Sequence, residues 1–259
     1  VTDMSNAFQY RNDFNADISA WDVSNVTDMS WMFYRAFAFN QDISNWDVSS
    51  VAYMNEMFRS ATIFNQPLDS WDVSRVTNMQ NMFESSQFNQ PLSSWNVRSL
   101  VDASFMFYAA QYNQDLEWNT SSRLEHVESM FNFNVRFDGS MRTFDTSSVI
   151  DMQRMFHAAS SFNQDINSWD TGKVTNMYEM FQKAIVFNQN LDNWQTSNVR
   201  NMQSMFSTDQ TGVFNGNIST WDTSSVTTMK NMFLGSTIFN HALHGWNTSQ
   251  VTSMEGMFS

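Results

Sequence analysis

The 259-residue chain has no cysteine, 2 prolines and 7 glycines. Without cysteine, disulfides, thiolate nucleophiles and thiolate zinc sites are excluded, although the redox compartment stays open because a repeat stack needs no cross-links outside the cell. Charge is also scarce: 15% of residues are Asp, Glu, Lys or Arg, against roughly 25% in an average soluble domain. Only 13 Lys and Arg face 26 Asp and Glu, for a formal net charge of -13. Phosphate binding needs clustered cations, so no nucleic-acid partner is expected. No apolar run approaches the roughly 18–20 residues of a membrane span, so this segment is not expected to insert into a membrane. It shows no secretion signal or lipidation box, but it opens on Val1, which leaves room for a signal or anchor outside it.

Motifs of catalysis are missing as well. No G-x-S-x-G, P-loop, H-E-x-x-H or G-x-G-x-x-G occurs, so the chain is expected not to be an enzyme. The four His are His126, His157, His241 and His244; they lack the spacing and partner ligands of a metal site.

What the chain does contain is 24 Phe, 20 Met and 10 Trp, arranged with a period of about 25. Trp stands at 21, 46, 71, 95, 118, 169, 194, 221 and 246, and Phe144 takes the one vacant place in that row. Phe closes a Met-x-x-Met-Phe block eleven times, from Phe8 to Phe258, and all Met but Met141 fall in its two Met columns. Such confinement marks Met and Phe as core filling. A Phe-Asn corner recurs from Phe14-Asn15 to Phe239-Asn240, with Tyr112-Asn113 and Phe137-Asp138 as variants. Stacked in register, its Asn is expected to bond backbone groups or the Asn of the next unit.

Val26, Met29, Met32, Phe33 and Ala36 have helical spacing, with Ser24 or Thr27 as N-cap and Asp28 in the first turn. Ile43, Trp46 and Val48 read as a short strand. The expected fold is therefore α/β: about ten units of one short helix and one short strand over 1–259, coiled into a right-handed leucine-rich-repeat-like solenoid with a stacked parallel sheet. Both ends are expected to fall inside a unit.

Three departures interrupt the pattern. The strand column changes from Val (Val23, Val48, Val73, Val97) to Thr (Thr120, Thr146, Thr171, Thr196, Thr223, Thr248). Shortened spacing and an inserted Arg123 predict an irregularity at 100–140. Ser207 to Val213 forms a longer loop.

Aromatics in otherwise polar columns single out Trp31 with Tyr34 and Phe105 with Tyr108. Each pair is expected to face outward, either as a contact for a protein or sugar or packed on neighbouring units. The acids after each Trp (Asp22, Asp47, Asp72, Asp145, Asp170, Asp222) should form a row. Either they bond the turn or cap the next helix, or calcium sits between them; no other cofactor is expected.

The unit V-T-D-M-S-W-M-F-Y-R-A-F-A-F-N-Q-D-I-S-N-W-D-V-S, residues 26–49, resembles the BspA-like surface-protein repeat. That resemblance implies a leucine-rich-repeat relative at the cell surface or outside the cell, without catalytic residues, serving surface structure or adhesion. The functional expectation is a non-enzymatic extracellular scaffold, in one form part of a fibre or coat. Its partners would be other surface or matrix proteins, or copies of itself end to end. The alternative is a binding module that takes a glycan or protein through Trp31, Tyr34, Phe105 and Tyr108.

Overall fold

The computed structural model describes residues 1–119 and 123–259, so the Thr120 position of the Thr column lies outside the described residues. Among the described residues there is no α-helix and no extended strand. Parallel pairing is confined to isolated bridges, one residue per unit, running Asp3, Asp28, Tyr53, Asn78, Asp102, His126, Asp151, Asn176, Asn201, Thr228, Ser253. The expected α/β, leucine-rich-repeat-like solenoid of helix and strand is thus corrected. The chain is coil and tight turns, laid unit upon unit in register.

Where the helix was expected, the chain makes overlapping turns. The N–H groups of Met32, Tyr34 and Ala36 donate to the carbonyls of Met29, Trp31 and Phe33, three residues back. The N–H groups between them, on Met29, Trp31, Phe33 and Arg35, donate instead to Tyr53, Asn55, Met57 and Arg59 of the next unit. Trp31 and Arg35 sit at φ 57° and 58°. A left-handed residue at the third position is the mark of a type II turn and breaks a right-handed helix. Turns closed by i to i+3 bonds bring the chain round as often as a helix does, so Val26, Met29, Met32, Phe33 and Ala36 still point inward and are fully buried. Hydrophobic spacing alone does not separate the two.

The strand expected at 43–48 is replaced by turns for a local reason. Asp42 and Asp47 accept the N–H groups of Ser44 and Ser49 through Oδ1, and such Asx turns bend the backbone on either side of Trp46. The proposed caps are corrected too. Ser24 donates to Asp22, Thr27 to the Thr2 carbonyl, and Asp28 accepts the Ser30 N–H.

Stacking in register turns each column into a ladder. Phe rings from Phe8 to Phe258 lie 5.4–5.7 Å apart and nearly parallel. A second ring ladder runs from Phe14 to Phe239. Phe144 stacks between Trp118 and Trp169, each at 6.0 Å, and so fills the Trp column as its sequence position indicates. Each buried Phe contributes on the order of 2–3 kcal/mol, several times a single side-chain hydrogen bond at about 1 kcal/mol. The rings therefore supply the stability and the polar ladders supply the register.

Those polar ladders are continuous. Asn15 Oδ1 accepts the Asn40 N–H at 2.9 Å, and the same bond repeats through Asn65, Asn89, Asn113, Asp138, Asn163, Asn188 and Asn215 to Asn240. Asp138 fits because only the acceptor oxygen is used. The indole N–H of Trp46 reaches the Ile18 carbonyl at 3.2 Å, and Trp71, Trp95, Trp118, Trp169, Trp194, Trp221 and Trp246 repeat it. In the Thr half, Thr146, Thr171, Thr196 and Thr223 donate Oγ1 to carbonyls of the next unit, a bond the buried Val residues do not make. In the longer loop, buried Thr208 donates to the Gly235 carbonyl and accepts the Gly212 N–H, after which the Asn ladder resumes at Asn215.

Candidate functional site

The side chains free to vary lie on the outer side of the overlapping turns, in three columns. One holds Trp31, Glu56, Asn81, Phe105, Ser129 and Arg154; the second Tyr34, Arg59, Glu84, Tyr108, Asn132 and His157; the third Arg35, Ser60, Ser85, Ala109, Phe133 and Ala158. The first and third columns are left-handed throughout these units, with φ between 51° and 58°. Gly and Asn tolerate that region best, and other side chains, aromatic ones included, are disfavoured there. Other units comply with Asn6, Asn231 and Gly256.

Trp31 and Tyr34 are half-buried, joined by a turn bond of 3.0 Å from the Tyr34 N–H to the Trp31 carbonyl. Tyr34 lies 5.2 Å from Tyr10, and the Arg59 guanidinium sits 5.4 Å over its ring. Phe105 and Tyr108 are also half-buried, with rings 5.9 Å apart, and Tyr108 meets Phe133 edge-on at 5.9 Å. Phe133 in turn lies 5.2 Å from His157. The two expected pairs do not form one cluster. Phe105 and Tyr108 open onto a groove of about 670 Å³ whose walls include Arg59, Gln80, Asn81, Glu84, Ser129, Asn132, Phe133, Arg154 and His157; Trp31 and Tyr34 are not in its lining. Tyr34 adjoins it only through Arg59.

The groove's charges are paired across units. Arg59 spans Glu56 at 2.8 Å and Glu84 at 3.0 Å, and Arg154 Nε reaches Glu179 Oε2 at 2.7 Å. Burial pushes Glu179 up, but bonds from Tyr178 and Arg154 outweigh it and hold the carboxyl below its ordinary value. Burial lowers the His157 pKa, partly offset by the Glu179 charge. His157 Nδ1 lies 3.5 Å from Glu179 Oε2 without a hydrogen bond. Asn132, 5% exposed, donates Nδ2 to Ser129 Oγ while its Oδ1 has no partner.

Phe133, His157, Asn132 and the two arginines escape a reading that pairs residues only three apart within a unit. The signal for them is the step of 24 or 25 residues: 108 to 132 and 133, then to 157. Turn neighbours along the chain are visible in one unit, whereas neighbours along the stack appear only when units are superposed.

The row of acids makes Asx turns. Asp22, Asp47, Asp72, Asp145, Asp170 and Asp222 each accept the N–H two residues on. The Ser hydroxyl, then the backbone N–H, lowers the carboxyl pKa of Asp22, Asp47, Asp72 and Asp222. Among the described residues no group of three or more His, Asp and Glu is placed to hold a metal ion. His241 Nε2 meets the Asn215 carbonyl at 2.9 Å, the contact that Gln41 makes with Asn15.

No curated protein and no solved structure matches the chain. Matches over residues 2–117, 64–134, 112–213 and 208–259 together run almost end to end, and the chain belongs to the repeat family described as Mycoplasma protein of unknown function, DUF285.

Proposed function

We propose that the protein is a non-enzymatic repeat scaffold of the cell surface whose outer turn face makes adhesive contacts, and that its units belong with the BspA-like surface-protein repeats. One observation carries this reading: three aromatic rings, half-buried Phe105 and Tyr108 and exposed Phe133, line one groove on the outer turn face. Phe105 and Phe133 hold φ 58° and 57°, which costs each on the order of 1 kcal/mol. Phe133 remains 46% exposed, so nearly half of its ring surface is open to a partner. A partner that covers the rings accounts for their presence. The other side of the reading is that most polar groups of the stack are spent on register, which suits a passive, extended support.

The test compares attachment of protein-coated beads to cells and to matrix-coated surfaces for the native chain and for Phe105→Asn/Tyr108→Gln. Both replacements occur in the same columns of other units, at Asn81 and Gln182, so the stack is expected to survive. Attachment should fall severalfold in the variant; undiminished attachment would remove the groove from the function.

A further inference from the structure

Resting on that adhesive reading, we infer that the groove takes a neutral, linear oligosaccharide lying along the stack. Its length is set by the repeat. From Arg59 to His157 it crosses five units, and at about 4.8 Å per step it is roughly 19 Å long. One step is close to the length of one sugar unit in an extended chain, so successive units present themselves to successive sugars.

The chemistry of the walls agrees. The rings of Phe105, Tyr108 and Phe133 offer apolar faces for the C–H side of a pyranose. Gln80 and Asn81 offer amide groups that both give and accept hydrogen bonds with sugar hydroxyls, and the Glu84 carboxylate accepts them.

Neutrality follows from the ion pairs. Each guanidinium of the groove is already held by carboxylates, Arg59 by Glu56 and Glu84 and Arg154 by Glu179. Among the described residues lining the groove no unpaired guanidinium or ammonium is left for a sulfate or uronate, and the chain's net charge of -13 repels anions at longer range. A peptide added as a strand is disfavoured for another reason. The N–H groups of Phe105, Phe107 and Ala109 donate to Glu128, Met130 and Asn132, and that of Tyr108 donates to Phe105, so the groove has no open row of donors.

The experiment titrates the full chain with neutral linear tetrasaccharides of glucose, mannose and N-acetylglucosamine, and with a sulfated tetrasaccharide, at low and high salt. The bead-attachment assay runs in parallel. The expected result is saturable binding of at least one neutral probe, unchanged by salt and weakened roughly tenfold in Phe105→Asn/Tyr108→Gln with the thermal midpoint retained. Binding of the sulfated probe alone, or neutral binding that the variant leaves intact, overturns the assignment. Failure of every neutral probe while attachment still depends on the groove also overturns it, pointing to a protein partner and leaving the adhesive reading in place. Loss of both kinds of binding overturns the two together.

Discussion

Asn163 shows how one side chain sets the register between units. Its Oδ1 accepts the Asn188 N–H at 2.8 Å and the Gln189 amide at 3.0 Å. Replacing it with Ala leaves a backbone donor unpaired, and stability is expected to fall by about 1 kcal/mol. Asn163→Asp keeps the oxygen, as Asp138 does naturally, and should lose much less; urea unfolding of both variants checks the contrast. Tyr112 works the other way. It stands in the inner ring ladder where other units carry Phe, its hydroxyl is buried with no partner, and burial pushes the phenol pKa up. Tyr112→Phe removes an unsatisfied group without opening a cavity, so it should raise stability by about 1–2 kcal/mol in the same measurement.

At the scale of the element, the unit is held by turns whose bonds are shared between side chain and backbone. The Asx turns after the Trp column are titratable where they are built on Asp and not where they are built on Asn96 or Asn247. In the folded chain Asp22, Asp47, Asp72 and Asp222 have pKa values below the ordinary 3.8. A depressed folded pKa contributes stability that is complete above the unfolded value and disappears as pH falls through the folded one. Melting temperature is therefore expected to decline below about pH 4, and Asp47→Asn/Asp72→Asn should flatten that decline while keeping both turns. The Thr column belongs to the same scale: Thr146, Thr171, Thr196 and Thr223 replace a buried methyl by a hydroxyl that reaches the next unit.

The whole molecule behaves as a one-dimensional stack in which each unit contacts chiefly its neighbours. Bridges, ring ladders and the Asn ladder all step by whole units, so excising one unit closes the stack without changing any column. Deletion of residues 176–200 should give a folded chain with a somewhat lower melting temperature, because one inter-unit contact surface is lost. Deletion of 176–187, half a unit, brings polar columns onto apolar ones and should abolish cooperative melting, as circular dichroism during heating would show.

The order of columns and the inward Met, Phe and Trp were legible in the residues, because each repeats until its role is plain; the Asn corner was legible as structural but not as an acceptor ladder, and the acids left turn, cap and calcium open. Phe105 and Tyr108 were legible as exceptions to their columns. The backbone conformation was not. Met29, Met32, Phe33 and Ala36 have the same spacing on a helix and on a run of overlapping tight turns, and only bonding to the next unit, which draws off every second N–H, selects the turns. The groove was half legible for the same reason: Phe105 and Tyr108 are three apart in sequence, while Phe133, Asn132 and His157 join them only through contacts between stacked units. Local sequence determines which groups a unit presents; the stack decides which backbone bonds close and which of those groups meet.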